Sequence, residues 1–250
     1  MAEEKSSLIE ARGIHKRFLG VHALNNVSAQ FFPGEILAVM GENGAGKSTL
    51  MKCLAGVHQP NEGEIRWEGE PTEIGNVRRA EELGIAFIHQ ELNLADNLSI
   101  GANIYLGREP RKAGKLGWID KPAIFEGTQK LLDQLGLKHS PDTAVSELSI
   151  GHQQMVEIAK ALSQDAKLLI MDEPTSSLTQ HETKTLFELA LQLKAKGMCI
   201  VFISHRIAEV EEIADRVIVL RDGKNSGELQ KSEINHDAIV SLMVCLLYTS

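Results

Sequence analysis

Apolar positions in this chain fall into two kinds of short run. Residues 8–14 (LIEARGI) and 27–32 (VSAQFF) alternate apolar and polar side chains, the period of a strand with one face in water. Residues 35–41 (EILAVMG), 84–89 (GIAFIH), 167–172 (KLLIMD), 198–204 (MCIVFIS) and 216–222 (RVIVLRD) are apolar almost throughout, which predicts central strands covered on both faces. Helical spacing occupies 46–57, 75–83, 121–135, 151–164, 180–196 and 206–214. Buried strands alternating with helices predict an α/β fold with a mostly parallel core sheet. The two alternating strands predict an N-terminal antiparallel β subdomain. Residues 91–150 break the rhythm: Gly, Asn, Pro and charged residues dominate from Ala95 to Asp120, with helix signals on either side. This reads as a helical insertion, about 91–160, carrying a flexible outer loop. Linkers are short, so 8–244 is expected to be one domain with subdomains.

Composition narrows the class. Of 250 residues, 43% are hydrophobic and 24% charged, the balance of a globular protein and not of a disordered chain. Three cysteines cannot form a disulfide framework, and Cys53 and Cys199, inside apolar runs, read as small core residues. A net charge of −8 gives no global attraction to nucleic acid or anionic lipid. Arg78, Arg79, Arg108, Arg111, Lys112 and Lys115 are interleaved with Glu81, Glu82 and Glu109 and read as a solvated face. His22, His58 and His139 lack ligand spacing. No stretch of 18 apolar residues occurs, and the first residues carry no signal-peptide core.

The strongest chemical signal is Gly41-Glu42-Asn43-Gly44-Ala45-Gly46-Lys47-Ser48-Thr49, the pattern G-x-x-x-x-G-K-[ST]. It follows an apolar strand and opens a helical segment. The glycines let successive backbone N–H groups converge on one anion, and the helix adds its positive end. Lys47 then reaches the β- and γ-phosphates of a nucleotide, and the Ser48 hydroxyl ligates Mg²⁺. Chance supplies the pattern in roughly one chain in a hundred of this length, so its strand-to-helix setting matters. The run KLLIMDEP ends in two carboxylates at the carboxyl end of a buried strand, where α/β sheets bind ligands. Asp172 is the candidate metal carboxylate, and Glu173 the candidate base for an attacking water. Without the phosphate loop, an N-capping pair before Pro174 would be an equal reading.

Residues 148–154, LSIGHQQ, followed by a helix and the strand ending at Asp172, resemble the signature segment of ATP-binding cassette (ABC) ATPases, whose consensus is LSGGQ. Ile150 and His152 depart from it; Ser149 and Gly151, expected to face phosphate, are kept. Other motifs then follow in the family's order. Gln90 resembles the Q-loop glutamine, which senses Mg²⁺ and the transporter body. Ser176-Ser177-Leu178-Thr179 resembles the D-loop, with Thr in place of its usual closing Asp. His205 resembles the switch histidine that contacts γ-phosphate. Phe18 lies where the family stacks an aromatic on adenine. The resemblance covers about residues 8–243 and implies a P-loop NTPase fold that takes ATP and Mg²⁺. Lys47, Gln90, Glu173 and His205 would be catalytic, and Ser48, Gln90 and Asp172 metal-holding. Residues 41–49, Phe18, Ser149 and Gly151 would contact nucleotide.

Residues 89–109, 171–179 and 203–223 are similar to the ATPases of ribose/galactose-type monosaccharide importers, which usually carry two such domains in one chain. That implies an N-terminal half working with a second ABC domain (tandem half or homodimer), with permease subunits and, indirectly, a sugar-binding protein, at the cytoplasmic face of the cell membrane. No nucleic-acid partner is expected. Residues 245–250 depart from the pattern and are expected to be non-native. Two other functions compete. One is a soluble ABC-class ATPase acting in translation or DNA repair. The other is a GTPase or small-molecule kinase, which lacks support because no Asn-Lys-x-Asp guanine motif occurs.

Overall fold

The structure is a computed structural model describing residues 6–112 and 117–244; Lys115 and residues 245–250, including Cys245, lie outside it. Ten strands are described: β1 (Ile9–Phe18), β2 (Val21–Phe31), β3 (Ile36–Met40), β4 (Glu62–Trp67), β5 (Glu70–Pro71), β6 (Ile85–Ile88), β7 (Leu168–Asp172), β8 (Cys199–Ile203), β9 (Arg216–Arg221) and β10 (Lys224–Gln230). The helices are α1 (Lys47–Leu54), α2 (Val77–Leu83), α3 (Ile100–Ile104), α4 (Lys121–Gln134), α5 (Ile150–Leu162), α6 (Gln180–Ala195), α7 (Ile207–Ile213) and α8 (His236–Met243).

The strands form a four-stranded antiparallel sheet, β2-β1-β4-β5, and a six-stranded sheet, β10-β9-β3-β8-β7-β6. Pairing in the larger sheet is parallel from β9 through β6, and β10 adds an antiparallel edge. The reason for the continuous apolar runs is visible in β8. Cys199, Val201 and Ile203 enter the core shared with the antiparallel sheet and α1, while Ile200 and Phe202 face α5 and α6. Both faces are covered, so both sets of alternating positions must be apolar. β3 sits in the middle of the sheet, and the chain leaves it for β6 at the far edge. Because β3, β6, β7 and β8 run parallel, the loops after them lie along one end of the sheet, the place where open α/β folds bind ligands.

Besides the two-residue β5, three elements depart from the periodicity reading. β4 (EGEIRW) and β10 (KNSGELQ) are strands with few apolar residues, and α3 lies inside the Gly/Asn-rich stretch expected to be loop. α3 starts where the Ser99 side chain accepts the Ala102 N–H, and Asn103, buried, ties the helix to the Ala95 backbone through both amide atoms. The helical insertion therefore has a polar anchor in place of a long apolar stripe. α3, α4 and α5 pack together against the core-sheet face through Ile100, Ile104, Leu132, Met155 and Ile158.

Candidate nucleotide site

Helix α1 follows β3 through a tight loop. Gly46, at the N-cap, has φ +99°, and a Cβ there would lie 2.7 Å from the Ala23 carbonyl oxygen and 2.8 Å from Leu24 Cδ2. Glycine is required both for the backbone angle and for this approach. The loop rests on the β9–β10 turn, where the Gly223 N–H donates to the Ala45 carbonyl (3.2 Å). α1 has no side-chain cap and no acidic residue in its first turn, which leaves its first N–H groups open to an anion. Lys47 is buried, 6% exposed, and its Nζ donates to the carbonyls of Gly41 (2.9 Å) and Glu42 (3.1 Å). Burial lowers its pKa, with the Glu173 and Asp172 charges opposing the shift.

Residues 43–49 line a cleft of about 400 Å³ together with Gln90 and Glu173. Just inside it, the Ser48 hydroxyl donates to Asp172 Oδ1 at 3.3 Å. Asp172 is 8% exposed, and burial raises its carboxyl above the ordinary range; the Glu173 charge adds to this, while the Ser48 hydrogen bond opposes it. Oxygen donors on a serine and a carboxylate, beside an amide side chain, suit a small hard cation such as Mg²⁺. Glu173 has φ +48°, the left-handed region, which is costly for a residue with a Cβ. Its N–H is held by the Ile203 carbonyl (3.0 Å), and its Oε1 lies 3.2 Å from His205 Nδ1. The imidazole is 53% exposed, at the rim.

The structure thus brings Lys47, Ser48, Gln90, Asp172, Glu173 and His205 together. It does not bring Phe18, Ser149 or Gly151 into the cleft lining. Phe18 is 41% exposed at the end of β1, edge-on to His58 with Lys16 Nζ over its ring at 5.1 Å. Ser149 caps α5 by accepting the His152 N–H, and its hydroxyl donates to Glu182 Oε1 (3.0 Å). Gly151 lies against the same carboxylate, and a Cβ there would collide with it. Thr179, in place of the expected Asp, caps α6 in a reciprocal box with Glu182.

Several contacts carry no local sequence signal. Glu182 holds the signature segment to α6. Glu157, on α5, accepts the Asn93 N–H (3.0 Å) from the loop after β6. His152, one of the departures from consensus, hydrogen-bonds His139 across the insertion at 2.9 Å. Glu209 binds the loops after β7 and β8. Each acts through a partner remote in sequence. Elsewhere the sequence reading holds: Cys53 and Cys199 are buried free thiols, and Arg78 and Arg79 pair with Glu82 on the surface.

With this geometry in place, likeness to known proteins carries weight. The family profile described as "ABC transporter" matches residues 24–176. The chain belongs to the ABC transporter family. Over 241 residues, 96% of the chain, it is 46% identical to the ribose import ATP-binding protein RbsA of Clostridium perfringens (strain 13 / Type A), covering 48% of that protein. It is 51% identical, again over 241 residues and 96% of the chain, to a putative ribose/galactose/methyl galactoside import ATP-binding protein of Agrobacterium fabrum (strain C58 / ATCC 33970), covering 47% of it. The chain therefore spans about half the length of the curated relatives it matches. The crystal structure of a nucleotide-free ATP-binding cassette from an ABC transporter superposes with a TM-score of 0.83 at 26% identity, covering 95% of this chain and 99% of that one. The cassette is thus a nucleotide-binding fold of known type, with a parallel core sheet and an antiparallel N-terminal sheet. Among the described residues, no helix is long and apolar enough to cross a membrane.

Proposed function

We propose that this chain is the ATP-binding and ATP-hydrolysing cassette that powers import of a monosaccharide through a separate permease. The observation that carries the reading is the single cleft lined by the loop at 43–49, Gln90 and Glu173, with Asp172 3.3 Å from Ser48 behind it. The sugar rests on the names of the relatives, which concern ribose and galactose import. In this reading the amides of 41–49 and Lys47 hold the β- and γ-phosphates, and Phe18 stacks on adenine. Ser48, Asp172 and Gln90 would hold Mg²⁺, which supplies charge neutralisation on the phosphate oxygens. A Glu173 carboxylate oxygen takes the proton of the attacking water, and His205 orients that carboxylate and reaches the γ-phosphate.

Ser149 and Gly151 stand outside the cleft lining, so they would serve the cleft of a second cassette, the tandem half or another copy. Closing the two excludes water from the site. The insertion, about 91–160 within a cassette of 8–244, would receive the permease at the cytoplasmic face of the membrane and pass closure to it, a sugar-binding protein delivering the cargo outside. The deciding experiment is Glu173→Gln: ATP affinity within about twofold of the parent and turnover lower by about a hundredfold or more, as expected for loss of a general base. Normal turnover would reject the assignment of the base.

A further inference from the structure

The reading above leaves one buried carboxylate beside the site unused. Glu209, in the first turn of α7, is 9% exposed. Its Oε2 accepts two hydroxyl hydrogen bonds, from Thr175 Oγ1 (2.8 Å) and Ser204 Oγ (2.9 Å), and its Oε1 pairs with Arg206 Nη1 (3.0 Å). Thr175 and Ser204 are each 2% exposed, so neither hydroxyl has water to turn to. Thr175 lies two residues after Glu173, in the loop after β7. Ser204 immediately precedes His205, in the loop after β8, and its oxygen also accepts the Arg206 N–H (3.0 Å), closing a turn around the histidine. One carboxylate oxygen thus ties together the two loops whose tips carry the Glu173–His205 pair.

We propose that Glu209 is a positioning residue that sets the His205–Glu173 geometry by clamping Thr175 and Ser204. It touches neither reacting group and acts on both through the backbone of their loops. Glu173 sits in a left-handed conformation that its neighbours must enforce, and Thr175 is the nearest downstream residue with a side-chain anchor. A carboxylate suits the role because one oxygen can accept from both hydroxyls while the other meets a guanidinium. A different role for the same residue is plain support of α7, since an acidic group in a first turn also favours the helix. The test must separate the two.

The proposal rests on the ATPase reading, so the experiment measures nucleotide affinity, single-turnover hydrolysis at high chain concentration, and the ¹H–¹³C ring signals of His205 in nucleotide-free protein. The variants are Glu209→Ala, His205→Ala and the double variant, with Glu209→Gln and Thr175→Val beside them. Positioning predicts that Glu209→Ala lowers the hydrolysis rate about ten- to a hundredfold, the scale of a misplaced catalytic geometry, with ATP affinity within about twofold. Glu209→Ala then slows the His205→Ala enzyme by much less than it slows the parent, because the two losses share the His205 route. Glu209→Gln, which keeps an oxygen for both hydroxyls, restores most of the rate. His205 ring signals move in Glu209→Ala and in Thr175→Val, the milder change that serves if the alanine variant does not fold. Additive rate losses, or unmoved His205 signals in folded variants, overturn the proposal. A parent that binds ATP without hydrolysing it counts against the ATPase reading instead, and the His205 signals then decide the positioning role by themselves.

Discussion

At the scale of single residues, the chemistry turns on the partner each charged group finds. Lys47 satisfies its ammonium on the Gly41 and Glu42 carbonyls, neutral partners in a buried setting that lowers its pKa. A triphosphate would replace these with charged partners, each charge-assisted bond worth about 1.5–3 kcal/mol. Lys47→Ala should therefore weaken Mg·ATP binding by more than about 100-fold, read by calorimetry; an unchanged affinity would detach the loop from nucleotide binding. Gly46→Ala tests the loop's shape in place of its charge. The new Cβ would press on the Ala23 carbonyl and Leu24 at φ +99°, so a loss of about 2–3 kcal/mol is expected in thermal unfolding. A melting temperature within about 1 °C of the parent would mean the turn relaxes freely. At this scale the sequence spoke clearly where chemistry needs neighbours in the chain, as in 41–49 and 172–173. It was silent on the contacts of Glu182 with Ser149 and of Glu209 with Thr175, which span 33 and 34 residues. Nothing in the local pattern separates buried Glu209 from exposed Glu211 and Glu212 beside it.

Elements were legible in proportion to how apolar they are. Every strand covered on both faces announced itself, because polar residues there are confined to strand ends, Asp172 of β7 and Arg216 and Arg221 of β9. β4 and β10 did not, since their stability comes from pairing with β1 and β9 more than from burial: in β10 no residue is fully buried, and in β4 only Ile65 and Trp67 are. α3 hid because its anchor is Asn103. A comparable polar contact closes the base of the insertion: Glu157 of α5 accepts the Asn93 N–H and so holds the loop that follows Gln90. Burial raises the Glu157 carboxyl above its usual 4.5, against the opposing influence of Lys160 and the Asn93 hydrogen bond. The folded state then binds this proton more tightly than the unfolded state, so the group's contribution to stability falls as pH rises from about 4.5 through the raised value. Glu157→Gln keeps an acceptor for Asn93 and removes the buried charge. The variant should melt higher than the parent at neutral pH, and its advantage should shrink as the pH is lowered toward 4.5. An advantage that grows on acidification would contradict the burial argument.

At the scale of the whole molecule, the cleft and the signature segment stand apart. Lys47, Ser48, Gln90 and Glu173 share one cavity, whereas Ser149 and Gly151 are occupied by Glu182 of the same chain. A facing cassette that offers a phosphate to Ser149 must displace a carboxylate already held by the Thr179 N–H and hydroxyl, contacts that keep Glu182 below the usual carboxylate range. Closure onto a second cassette, as proposed, would be opposed by this contact within the chain, and these 250 residues tested by themselves, spanning 48% of one relative and 47% of the other, would have no linked cassette to raise the local concentration. On the proposed reading, two such chains would then meet by diffusion. While monomers predominate, the population of pairs rises as the square of chain concentration, so ATP hydrolysis per chain should rise in proportion to concentration and level off once pairs predominate. Steady-state turnover over about a hundredfold range of chain concentration reads this directly, and Ser149→Ala should lower the plateau while leaving the affinity of the single chain for ATP within about twofold, since that hydroxyl acts across the pair. A rate per chain that is flat from the most dilute point would mean that the cleft at 43–49 is sufficient by itself, and that Ser149 has no phosphate to meet.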